Sequence, residues 1–311
     1  MHPPTDQISR SGLAFAISAY FLWGFLPVLF VLLAPSGAIE IVAWRIVLSV
    51  IFCALLLTVT RGWARLRAII TNRNALLTLT LAAVFILINW LVFIFATISG
   101  HVVEAALGYF TNPIVTVLLG VFVLRERLRP AQWVAIGIGA SAVVVLAIGY
   151  GSFPWIALSL AFSFGLYGLV KKRVGPQVDA IGGLTVETAV LSPLAVVALI
   201  GVALTTGLTI GSESTLHTVL MSSVGVATAI PLLLFAAAAR RIPLVYLGLV
   251  QYLAPILQLI IGVAVLREDM PLERWIGFGI VWVALGELTA DMLLHNRAKS
   301  AKFPVGSEIN R

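Results

Sequence analysis

The sequence predicts an all-α polytopic membrane protein, with ten transmembrane helices arranged as two inverted five-helix repeats. Three observations carry that prediction. Only 33 of the 311 residues are charged, 20 basic and 13 acidic, against roughly a quarter in ordinary soluble domains. Sixty per cent are hydrophobic and the mean hydropathy is +1.07, so the apolar surface exceeds what one water-facing globule buries and lipid must be the solvent. Finally, the chain matches itself at an offset of 142 residues. A span needs about 20 apolar residues, so a chain of this length holds about ten spans and no soluble domain.

Stretches free of Asp, Glu, Lys and Arg run over 11–39, 74–103, 105–124, 130–170, 188–212, 214–239 and 242–266. The first is too long for a secretory signal and is expected to stay as a helix. The fourth is divided by the turn cluster Gly149, Tyr150, Gly151, Ser152, Phe153 and Pro154. Two further apolar segments carry a few charges near their ends. The expected spans are 12–32, 38–59, 76–98, 102–123, 131–148, 153–170, 181–204, 216–239, 243–265 and 273–294. Continuous rather than alternating apolar runs favour helices over a barrel.

An even span count puts both termini on one side of the membrane. That side collects 17 of the 20 basic residues, the opposite side only Arg267 and Arg274, and Arg45 lies within the second span. Lys and Arg in short loops stay cytoplasmic. Both termini are therefore expected in the cytoplasm, as tails at 1–11 and 295–311. The high isoelectric point is a topology signal, and with no soluble domain no nucleic-acid partner is expected.

At the 142-residue offset Pro113, Gly120, Leu124, Arg125, Glu126, Trp133 and Gly137 fall on Pro255, Gly262, Leu266, Arg267, Glu268, Trp275 and Gly279. The repeats are 12–150 and 151–294. Five helices per repeat is an odd number, so the second enters the membrane with opposite orientation. Such a pair has two similar ends and suits a central site open to either face in turn.

Polar residues inside spans mark where that site lies, because each costs free energy in lipid unless it faces the bundle interior or a wet cavity. Tyr109 and Asn112 precede Pro113, and Gln251 and Tyr252 precede Pro255 at matching repeat positions. Each proline frees a carbonyl one turn back and permits a hinge. Gln258 extends the same lining. Asn89 and Trp90 stand near the middle of the third span, with Trp44 and Tyr167 as further walls. Packed kinks and interhelical hydrogen bonds are the plainer reading of these residues. Arg45 and Glu104 are expected to pair near the outer face, with an anionic substrate contact as the alternative for Arg45. Glu187 and Glu287 are candidate proton sites, although either can instead pair with basic loops. Small residues at helical spacing, among them Gly137, Gly139 and Gly279, are expected to permit close helix approach.

The segments AYFLWG (19–24), INW (88–90), EAALGYFTNPIV (104–115), LRER (124–127), LAFSFGLYGLVKK (160–172), YLGLVQYLAPILQ (246–258) and FGIVWVAL (278–285) together resemble the drug/metabolite transporter superfamily, closest to the RarD group of EamA-type permeases. The resemblance covers about 11–294. It implies a ten-helix carrier of the bacterial inner membrane with a central cavity lined from both halves. Relatives of this kind include amino-acid exporters such as YddG, and RarD is linked by name to chloramphenicol sensitivity. The resemblance and the apolar, amide-bearing cavity favour export of amino acids with neutral or aromatic side chains by alternating access. Amphipathic drugs such as chloramphenicol are the runner-up substrates, and a lipid flippase or a non-transporting sensor is the reading of another class. An intramembrane enzyme finds no support, since no reactive constellation, HExxH, GxSxG or phosphate-cradling motif stands at depth. No cofactor and no metal are expected. The expected partners are a small-molecule substrate and membrane lipid, with monomer or homodimer open, and the lone Cys53 excludes disulfide frameworks.

Overall fold

A continuous apolar run in lipid satisfies its backbone within itself as a helix, and all regular structure among the described residues is helical. The computed structural model describes the backbone of residues 9–124, 130–150, 153–174, 178–239, 241–242, 247 and 249–302. The tails at 1–8 and 303–311, the charged loop at 125–129 and most of the start of the expected ninth span lie outside the described residues.

The helices are α1 (Arg10–Val31), α2 (Ala38–Val59), α3 (Trp63–Thr71), α4 (Arg73–Ile98), α5 (Val102–Leu124), α6 (Pro130–Tyr150), α7 (Trp155–Val174), α8 (Ala180–Thr205), α9 (Thr215–Ala239), α10 (Leu253–Ile260), which runs into a π-helical turn at Ile261–Val265, and α11 (Leu272–Lys302). Among the described residues, six are long and apolar enough to cross a membrane: α1, α2, α4, α5, α8 and α9. Shorter apolar segments lie in α6, in α7 and over Leu253–Val265.

Local chemistry sets the ends. The Ser9 hydroxyl accepts from the Gly12 N–H at 3.3 Å to cap α1, and the Asn72 side chain does the same from Ala75 at 3.1 Å for α4. Gly100, at φ 74°, turns the chain out of α4 in a left-handed conformation. The His101 N–H then returns to the Ala96 carbonyl at 2.8 Å, a Schellman closure.

Three elements differ from the sequence expectation. α3 falls where only a basic loop is expected: Leu66 and Ile69, three residues apart, are buried against Leu57, Leu79 and Val186. That one-sided burial makes a short helix worth forming despite its length. In the expected ninth span the chain turns at Gln251 and Tyr252 and helix resumes at Leu253. Pro255 then occupies the first turn of α10, where the missing N–H costs nothing. α11 continues to Lys302, past the apolar segment, because its last residues are mostly good helix formers.

The chain divides into two compact units, residues 1–112 with 155–269, and residues 113–154 with 270–311. In the first unit α2 packs on α8 and α9, α4 on α7, and α1 on α9 and α10. Its core joins Phe30, Ile41, Ile46, Ile86, Trp90, Phe93, Leu160 and Met221. Leu194, Val197, Ile200 and Leu204 form an exposed apolar stripe along α8, a surface suited to lipid rather than water. In the second unit α11 packs on α6, and Gly139 of α6 sits so close to Ile114 that an added Cβ would meet its Cδ1 at 2.6 Å. Gly137 and Gly279 face open space, where a Cβ would meet nothing within 4 Å.

Candidate functional site

Asn89 lies near the middle of α4, buried to 2% exposure, and two helices, α5 and α7, close on it. Its Nδ2 donates to the Ser163 hydroxyl at 3.1 Å and the Leu160 carbonyl at 3.3 Å, both on α7. The Tyr109 hydroxyl of α5 donates to its Oδ1 at 2.9 Å. The close approach of α5 to α7 requires Gly108, whose Cβ equivalent would meet the Ala157 carbonyl oxygen at 2.7 Å. Phe93 and Phe164 stand edge-on to Tyr109, with ring centroids at 5.5 and 5.9 Å. Tyr167 follows at 6.0 Å from Phe164. The result is an amide and a phenol held in an aromatic box.

Arg45 enters beside it. Because α2 packs on α8, α9 and α4, its guanidinium meets α9 and α4: Nε donates to Thr228 Oγ1 at 2.7 Å, and the guanidinium carbon lies 4.3 Å from the Trp90 ring centre and 5.6 Å from that of Phe30. Thr228, Trp90 and Phe30 thus surround the guanidinium. Glu104 is buried at the start of α5. Arg45 Nη1 and the preceding Trp44 Nε1 are buried donors without a hydrogen-bond partner.

Asn112 Oδ1 and Gln258 Oε1 are buried acceptors without a hydrogen-bond partner, while Gln258 Nε2 donates to the Trp23 carbonyl at 3.3 Å. Trp23, Tyr20 and Phe235 form a neighbouring aromatic cluster, with centroids 5.2 to 6.1 Å apart. Tyr252 stacks on Phe110 at 6.4 Å, and Gln251 is half-buried in the turn before it. Pro113 lies within α5, and Pro255 is buried in α10. Glu187 on α8 is buried, with Lys171 Nζ at 2.6 Å and the Tyr167 hydroxyl donating at 3.2 Å. Glu287 is exposed on α11.

Sequence reasoning missed the partners. Thr228 and Ser163 carry no signal, because a hydroxyl on a helix can satisfy itself on the preceding turn, as Thr228 also does on the Val224 carbonyl at 2.8 Å. Glu268 was read only as half of a repeated Arg-Glu pair. Its two carboxylate oxygens accept from the Val102 and Val103 N–H groups at 2.6 and 2.9 Å and cap α5, a placement the helix dipole favours.

Residues 10–148 match the EamA-like transporter family. The protein RarD of Streptomyces exfoliatus is 45% identical over 298 residues, covering 96% of this chain and 94% of its own. The chain belongs to the EamA/RarD-type permeases of the drug/metabolite transporter superfamily. The uncharacterized transporter YojE of Bacillus subtilis is 40% identical to this permease over 299 residues, 94% of this chain and 98% of the relative. A solved crystal structure, 19% identical, superposes with a TM-score of 0.57 over 92% of this chain and 98% of its own, a likeness of fold. The permease is a multi-pass membrane protein.

Proposed function

We propose that this permease exports amino acids with neutral or aromatic side chains from the bacterial cytoplasm across the inner membrane by alternating access. One observation carries the reading: a buried amide–phenol pair, Asn89 and Tyr109, stands in an aromatic box. Ligand sites are mostly apolar with a few placed polar groups, and an aromatic box of this kind matches an apolar side chain. The acceptors Asn112 Oδ1 and Gln258 Oε1 suit a substrate ammonium. Trp44, Trp90, Tyr167, Gln251 and Tyr252 complete the proposed lining.

In this reading the chain forms ten spans in two inverted repeats, 12–150 and 151–294, with both termini cytoplasmic. The segments around Pro113 and Pro255 bend in opposite senses to close one face and open the other. Where transport is proton-coupled, Glu187 is the stronger candidate, since it is buried and Glu287 is exposed.

The test is counterflow: purified permease in liposomes, labelled phenylalanine, leucine and alanine outside, and the unlabelled amino acid inside. Saturable uptake accelerated by internal substrate is the expected result. No uptake of any amino acid under any gradient overturns the substrate, and chloramphenicol, a neutral amphipath, is then assayed in the same vesicles. A Glu187→Gln permease that keeps exchange but loses uptake driven by a pH gradient assigns the proton to Glu187. Equal loss of both identifies the Lys171 ion pair as structural.

A further inference from the structure

A cation inside an apolar bundle is unfavourable unless something of opposite charge or a π-face meets it. Arg45 is 4% exposed and about 10 Å along α2 from Ala38, taking about 1.5 Å per residue. Among the described residues no Asp or Glu pairs with it. The Trp90 face and the Thr228 hydroxyl hold the guanidinium in one orientation, and Nη1 is left with no acceptor. A merely structural arginine spends its donors on the protein. This one is fixed through Nε and a ring face, with part of its fork unspent. What such a site lacks is an acceptor-only group carrying negative charge, which in a small metabolite is a carboxylate, and guanidinium matches carboxylate geometry with two parallel bonds.

We propose that Arg45 is the carboxylate-recognition residue of this permease, so that a free carboxylate is a required feature of its substrates. The proposal rests on the amino-acid reading for its biology but makes its own demand: the substrate's amide or decarboxylated analogue fails whatever the side chain. The Trp90 face and Thr228 position the fork.

The test has a binding arm that needs no transport. The full-length permease in detergent is heated with 3-phenylpropionate, with 3-phenylpropionamide or with chloride alone. The carboxylate is expected to raise the melting temperature, and the amide and chloride are not. In the transport arm, unlabelled phenylalanine competes with labelled phenylalanine for counterflow, and phenylalaninamide and phenethylamine compete at least roughly 30-fold more weakly, the loss expected when one member of a buried charge pair is truncated. Arg45→Gln abolishes the carboxylate-dependent stabilisation, and Arg45→Lys retains part of it as a point charge. The analogue comparisons use the unaltered protein, so they stand even where a variant fails to fold.

Equal stabilisation by carboxylate and amide, no stabilisation by either, or equal stabilisation by chloride overturns the proposal. Stabilisation by 3-phenylpropionate through Arg45 with no amino-acid transport keeps the proposal and overturns the substrate reading. Amino-acid counterflow inhibited equally by phenylalanine and its amide does the reverse.

Discussion

Asn89 commits its amide within the protein: Nδ2 to Ser163 and Leu160, Oδ1 to Tyr109. Removing the phenol hydroxyl leaves a buried carbonyl oxygen without its donor, at a cost of about 1–3 kcal/mol. Tyr109→Phe is therefore expected to lower the melting temperature of the detergent-solubilised permease, and Asn89→Leu to lower it further because the Ser163 hydroxyl and the Leu160 carbonyl also lose their donor. The double variant should lose less than the two singles added together, with a coupling of about 0.5–3 kcal/mol, and strict additivity would show that the hydrogen bond contributes nothing. Asn89, Trp90, Tyr109 and Arg45 were legible in the sequence because a polar or bulky aromatic residue in an otherwise apolar run costs free energy and so announces itself. Ser163 and Thr228 were not. Their hydroxyls can bond their own helix at no visible cost, and only the packing of α7 and α9 brings them to Asn89 and Arg45, separated by 74 and 183 residues in sequence.

Helix contacts decide whether those side chains meet at all, and glycine is where the contacts are closest. A Cβ on Gly225 of α9 would lie 2.5 Å from the backbone carbonyl carbon of Leu48 on α2. Backbone cannot yield as a side-chain tip can, so Gly225→Ala must push α9 off α2, at about 1–3 kcal/mol for overpacking. Thr228, one turn on and facing α2, moves with it, so this variant should also lose the carboxylate-dependent stabilisation assigned to Arg45. Gly201→Ala on α8 has nothing within 4 Å of its Cβ and should be neutral or stabilising by up to about 1 kcal/mol through helix propensity. Melting curves of the two variants separate these outcomes, and equal shifts would refute close packing at Gly225. The glycines also mark how far element-level reading reaches. Gly137 and Gly139 look alike in sequence, yet Gly139 meets Ile114 and Gly137 meets nothing, because spacing on one helix does not say where its neighbour lies. Apolar runs located the long helices well for the converse reason, that lipid imposes helix on any such run. α3 escaped notice because two buried residues, Leu66 and Ile69, are too few to register against the arginines around them.

The repeat makes its demand on the whole molecule. In the proposed arrangement two halves of five spans each enter the membrane in opposite senses, so residues 142 apart face opposite sides. Thr71 and Glu213 form one such pair, Ser99 and Arg241 another, and all four are exposed near helix ends. The proposed topology, with basic loops cytoplasmic, puts Thr71 and Arg241 inside and Ser99 and Glu213 outside. Cys53 is the sole cysteine and is buried, so Cys53→Ala provides a clean background. In intact cells a membrane-impermeant maleimide should label S99C and E213C but not T71C or R241C, and opening the membrane should make all four reactive. A parallel duplication would give both members of each pair the same face. An even number of spans per half has that consequence, so labelling of T71C together with E213C, or of S99C together with R241C, would remove the inverted repeat. The physical basis for two equivalent end states, and with it the proposed bending at Pro113 and Pro255, would go with it.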